Sequence, residues 1–198
     1  MEITSTMFVP LGVICGALLT GIFSFVSLIN QKEGKISEFR QNWIDALRDD
    51  IAKLTASFDR ISSKWQLTQI SEEEKAEPYK GRQWLLEFNE LITTDFEHYS
   101  ECYNRIMMRL NVKDDKILID KLKELDGYIS SPREMRDKDF VKSKIDGVIT
   151  ESQVLLKNEW EVVKSGEKAY RTTKFVTCMC IGLIVLAGIY IYVQSTIV

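Results

Sequence analysis

Few side chains in this 198-residue chain have the type and spacing for covalent or metal chemistry. The single histidine, His98, lies between Glu97 and Tyr99 with no nucleophile paired to it, which reads as a surface or core residue and not as a general base. Cys178 and Cys180 form a C-x-C pair, but residues two apart on a helix point to different sides, and no histidine or carboxylate stands near them. A metal is not expected there. Cys15 falls in an apolar stretch as well, so Cys102 is alone in the middle of the chain and no disulfide within that region is available, a usage that suits a reducing compartment. Asp49 with Asp50 and Asp114 with Asp115 are adjacent carboxylates that face different ways on a helix, and both pairs read as solvated or capping. Phosphate-binding loops, dinucleotide fingerprints, nucleophile elbows, H-E-x-x-H and C-x-x-C are all missing. The expectation is a protein that is not an enzyme and takes no cofactor.

The spacing that does carry meaning is of another kind. Gly12, Gly16, Thr20, Ser24 and Ser27 recur every three to four residues and gather small and hydroxyl side chains on one face, the arrangement that lets helix backbones approach closely in a membrane. Cys178 and Gly182 repeat the spacing near the other end of the chain. Two partners are open for this face: the chain's own second span or a second copy, with the lining of a water path as a further reading.

These positions lie in two uncharged runs. Residues 7–29 (MFVPLGVICGALLTGIFSFVSLI) and 175–193 (FVTCMCIGLIVLAGIYIYV) contain no Asp, Glu, Lys or Arg. At 1.5 Å per residue, about twenty such residues cross a hydrocarbon core of about 30 Å. Tyr190 and Tyr192 suit the interfacial belt at the outer end of the second run. The first run is too long and too poor in basic flanking residues for a secretory signal, and is expected to remain on the mature protein. The organisation that follows is an N-terminal tail and transmembrane helix over 1–30, a cytoplasmic helical domain over 31–174, and a second transmembrane helix with its tail over 175–198. All 26 Lys and Arg, and all 29 acids except Glu2, lie between the two runs. Lys32, Lys35 and Arg40 follow the first, and Lys164, Lys168, Arg171 and Lys174 precede the second. The positive-inside rule then puts the middle in the cytoplasm and both termini outside. The near balance of acid and base gives no basic face for DNA or RNA, so direct nucleic-acid binding is not expected.

The middle is read as all α. Ile36, Phe39, Trp43, Leu47, Ile51, Leu54, Phe58, Ile61 and Trp65 advance by threes and fours, and the helix can continue from the first span because Gly34 costs only about 1 kcal/mol there. SEEEKAEP, residues 71–78, is a connector with a possible capping box from Ser71 to Glu74. A second long amphipathic helix runs from Tyr79 to Leu110, and a shorter one carries Ile117, Leu118, Leu122, Leu125 and Ile129. Ser131, Pro132 and Glu134 then predict the start of a fourth helix that runs into the second span, with Gly147 and Gly166 as its possible bends. Four amphipathic helices must bury their apolar faces in a helical bundle, in a homo-oligomer, or in both.

Just after the first span, residues 36–54 (ISEFRQNWIDALRDDIAKL) hold Phe39, Arg40, Trp43, Ile44, Leu47, Arg48, Asp50, Ile51 and Ala52 in the pattern F-R-x-x-W-I-x-x-L-R-x-D-[IL]-A. With the two-span layout, this resembles the transmembrane effector of bacterial retron defence systems. The pattern covers about a tenth of the chain. The resemblance implies an inner-membrane protein encoded beside a reverse transcriptase and its non-coding RNA. It implies that this partner complex restrains the effector, and that phage infection releases it to damage the membrane and stop the infected cell. Phe39, Arg40, Trp43 and Arg48 are the candidates for coupling the domain to the membrane. Gly12, Gly16, Thr20, Ser24, Cys178 and Gly182 are the candidates for packing the spans, with the lipid bilayer and further copies of the chain as partners.

Overall fold

In the computed structural model, residues 8–68, 78–130, 135, 137–166 and 168–197 are described. Among them nearly every residue is helical and no strand occurs. The elements are α1 (Phe8–Leu67), α2 (Pro78–Arg109), α3 (Lys116–Ser130), α4 (Lys138–Ser165) and α5 (Lys168–Ile197). Two stretches are long and apolar enough to cross a membrane, one in α1 and one in α5. The chain divides into two compact units, residues Met1–Gln41 with Glu161–Val198, and Asn42–Trp160.

The second unit has one apolar core. Leu47, Ile51, Leu54, Phe58, Ile61 and Trp65 of α1 face Phe88, Tyr99, Cys102 and Ile106 of α2, with Leu118, Leu122 and Leu125 of α3 and Val141 and Val148 of α4 completing it. The three-and-four spacing of these residues puts each set on one helix face, which is why the apolar pattern alone picked out the buried side. Trp65, Trp84 and Phe88 cluster with ring centroids 5.1 to 5.8 Å apart and Trp65 edge-on to the other two. At the far end of α3, Lys144 of α4 pairs with Glu124 at 2.6 Å and lies over the Phe140 ring, while the Tyr128 hydroxyl donates to the same carboxylate at 2.8 Å. All four tryptophans, Trp43, Trp65, Trp84 and Trp160, belong to this unit.

Helix boundaries follow local hydrogen bonding. The side-chain oxygen of Asn111 accepts from the Lys113 amide at 3.0 Å, and the Asp115 carboxylate accepts from the Asn111 amide at 2.7 Å, so Asp114 and Asp115 serve the turn before α3. The Ser131, Pro132 and Glu134 start signal and the Ser71 to Glu74 box lie outside the described residues. The fourth helix begins at Lys138, later than that signal predicts, because the Asp137 carboxylate caps the amides of Asp139 and Phe140 at 2.9 and 3.2 Å. Nor does this helix run unbroken into the second apolar stretch. The Gly166 amide donates to the Val162 carbonyl at 2.9 Å, Gly166 takes φ 73°, and α5 starts afresh at Lys168. That is an αL helix ending, which glycine adopts at little cost. Gly147, by contrast, stays inside α4.

In the first unit, the half-buried positions of α1 between Gly12 and Lys35 are Leu19, Ile22, Val26, Ile29 and Glu33, and those of α5 are Tyr170, Thr173, Thr177, Ile181 and Ile184. Both series step by threes and fours, so each helix offers one stripe to the other. The Tyr170 hydroxyl donates to Asn30 Oδ1 at 3.1 Å and ties the two stripes together at their charged end.

Candidate functional site

Of the candidate packing residues, only Cys178 lies in that seam. Gly12, Gly16, Thr20 and Ser24 are exposed, and a Cβ added to Gly12 or Gly16 would meet nothing within 4 Å among the described residues. At about 100° per residue, their face lies roughly a third of a turn round α1 from the Leu19 to Glu33 stripe. The Thr20 hydroxyl satisfies itself on the Gly16 carbonyl at 2.9 Å, so the face presents little unpaired polarity to an apolar neighbour. On α5, Gly182 is likewise open, whereas Cys178 lines a groove between the two helices. The groove between the two helices is lined by Phe23, Val26 and Ile29 of α1 and by Thr177, Cys178 and Ile181 of α5, and the small-residue face of α1 is left outward.

The four coupling candidates fall in different settings. Phe39, 76% exposed, and half-buried Arg40 belong to the first unit. Trp43 packs partly buried against the core of the second unit, and Arg48 holds Asp45 at 2.8 Å on its surface.

What the sequence reading missed is a pair of carboxylate clamps. Asp50 is only 3% exposed, because it shares the buried face of α1 with Leu47, Ile51 and Leu54. Arg105 reaches its Oδ1 at 2.8 Å and Arg109 binds its Oδ2, both from α2. The reading of Asp50 as solvated or capping is therefore corrected: a carboxylate so buried is tolerable only when paired. Asp49, next to it, does lie at the surface with Lys53 at 2.7 Å. The second clamp inverts the roles. Asp95 of α2 takes Arg60 Nε at 2.6 Å and Lys64 Nζ at 2.7 Å from α1. Burial alone would raise the Asp95 carboxyl, but the hydrogen bonds from Lys64 and Arg60 outweigh it and hold it below 3.8. The sequence signal was present in part, as an acid at a core-facing step of each apolar series.

Between the clamps, α1 and α2 form a groove of about 550 Å³ floored by Ala52, Ala56 and Ser57. His98 and Cys102, one helical turn apart on α2, both line it, together with Lys53 and Arg60. This is a Cys–His juxtaposition that linear spacing did not single out. It does not amount to an activated nucleophile: Cys102 is 2% exposed, burial pushes its thiol up, and its partner is Arg105 Nη2 at 3.6 Å. Among the described residues no three His, Cys, Asp or Glu side chains come together as metal ligands would. The groove has room for a small polar ligand or a partner side chain.

No protein family, no curated protein and no solved structure matches the chain.

Proposed function

We propose that this protein is a membrane-damaging effector of a bacterial antiviral system. In this reading the two apolar stretches span the inner membrane, both termini are periplasmic, and a helical bundle lies in the cytoplasm, restrained by a reverse transcriptase and non-coding RNA complex. The observation that carries the reading is the outward small-residue face of α1: a Cβ at Gly12 or Gly16 would meet nothing within 4 Å among the described residues, and in this reading the closest backbone approach in the bilayer is kept for a second copy. Assembly of several copies through that face brings uncharged helices together in a leaky oligomer. The retron setting rests on the likeness of residues 36–54.

The first test is membrane potential, read by a voltage-sensitive dye in bacteria that express the chain from an inducible promoter without neighbouring genes. Depolarisation ahead of growth arrest is the expected result. A normal potential with abundant, inserted protein overturns the effector reading. Gly16→Leu should weaken self-association about tenfold, the loss of one close contact of ~1.4 kcal/mol, and reduce depolarisation with it. Ile14→Leu, on another face, should change neither.

A second reading is favoured by the groove between α1 and α2, which suits a docking module whose spans are anchors only. Exchanging both apolar stretches for unrelated apolar helices separates the two: a docking module keeps its function and an effector loses it.

A further inference from the structure

The groove between α1 and α5 changes character along its length. One end is walled by Phe23, Val26 and Ile181, and the other by Asn30, Tyr170 and Lys174. Asn30 precedes Lys32, the first cation after the uncharged run of α1, and Lys174 is the last charge before that of α5. The polar end therefore sits at the border between charged and uncharged sequence on both helices at once. Around that border, residues 30–35 and 170–174 carry Lys32, Lys35, Arg171 and Lys174 against the single carboxylate of Glu33. Tyr170 fixes the Asn30 amide by donating to its oxygen, which turns the amide's own N–H donors to other use.

We propose that this groove is a binding site for one anionic phospholipid, with the phosphate held by Lys174 and the Asn30 amide and the first part of an acyl chain laid along Phe23, Val26 and Ile181. Basic pockets between membrane helices on the cytoplasmic side take such headgroups. The volume of about 210 Å³ accepts a segment of one chain, and the rest of the lipid lies in the bilayer. A free phosphate would use the polar end alone and leave the apolar end unfilled. This site rests on the membrane reading above, since it needs α1 and α5 in a bilayer.

The test uses the full-length protein in detergent, offered equal phosphatidylglycerol and phosphatidylcholine, with retained lipid counted by native mass spectrometry. Wild type should retain phosphatidylglycerol in preference. Lys174→Gln should cut that preference about fivefold, Lys123→Gln, on α3 in the second unit, should leave it near wild type, and Ile181→Trp should lower retention of both lipids by filling the apolar end. Equal retention of the two lipids by wild type overturns the proposal, as does displacement of bound phosphatidylglycerol by millimolar glycerol phosphate, which would mark a headgroup-only anion site. Alkaline extraction of membranes from the same cells keeps the two failures apart. An extractable protein sinks the membrane reading and the lipid site with it, while an inserted protein without lipid preference sinks the lipid site alone.

Discussion

Asp50 is the residue on which the second unit has most to lose. Asp50→Ala removes one acceptor from two guanidinium groups that are themselves two-thirds buried, and should cost about 3 kcal/mol. Asp49→Ala, which breaks only an exposed pair with Lys53, should stay within about 0.5 kcal/mol. The urea midpoint followed by tryptophan fluorescence in full-length protein measures both, since every indole is in that unit. Acidity offers a second reading at this scale. The carboxyls of Asp95 and Glu124 are both lowered in the folded chain, the first by Lys64 and Arg60 against its burial, the second chiefly by Lys144 and then Tyr128. The unfolded chain then binds more protons, so their stabilisation is present above about pH 4 and is lost as pH falls through the folded values. Asp95→Asn should be less stable than wild type at pH 7 and show a shallower fall in urea midpoint between pH 5 and pH 3. The apolar steps Leu47, Ile51 and Leu54 share a helix face with Asp50, but an acid at that step reads as solvated until a buried partner for it is seen. Its partner Arg109 lies 59 positions away, a distance over which linear spacing carries no information about charge.

At the scale of elements, glycine has opposite meanings in α4 and directly after it. Gly166 stands at φ 73°, and a Cβ there would meet Glu33 Oε1 and the Tyr170 ring at 3.0 Å. Gly166→Ala should therefore cost roughly 1–2 kcal/mol through the left-handed backbone alone. Gly147 is helical, and a Cβ would meet only the flexible Lys121 ammonium at 3.3 Å. Gly147→Ala should gain up to about 1 kcal/mol from helix propensity. Thermal unfolding in detergent, followed by circular dichroism, reads both directions. The sequence reading offered both glycines as bends, and nothing in a single sequence separates them. An αL ending depends on where the chain must go next, and α5 can begin at Lys168 only if α4 stops. The existence and order of the helices were legible because apolar side chains at three-and-four spacing have to share a face. The start of α4 was not, because nothing in the sequence pattern marks Asp137 as the residue that caps Asp139 and Phe140.

For the molecule as a whole, the confinement of charge between two uncharged runs was legible at a glance, and so was the all-α class. Which face of α1 meets α5 was not legible, since the small residues and the larger Leu19, Ile22, Val26 and Ile29 repeat with the same period and only the fold distinguishes them. The division into two units predicts that exchanging the apolar stretches of α1 and α5 leaves the tryptophan-detected urea midpoint of the second unit within about 0.5 kcal/mol, because its core residues all lie between Asn42 and Trp160. A larger loss would mean that the core draws stability from outside its own helices. The two clamps bear on the same core in a further way. Asp50 meets Arg105 and Arg109, and Asp95 meets Arg60 and Lys64, so both obey a single antiparallel offset between α1 and α2. Sliding one helix along the other by a turn would still match apolar steps to apolar steps. It would, however, strip a cation from both carboxylates together, and in one direction it would bring Glu101 towards Asp50. Hydrophobic stripes alone cannot tell neighbouring registers apart; these four ion pairs can, because only the observed offset gives each carboxylate two cations.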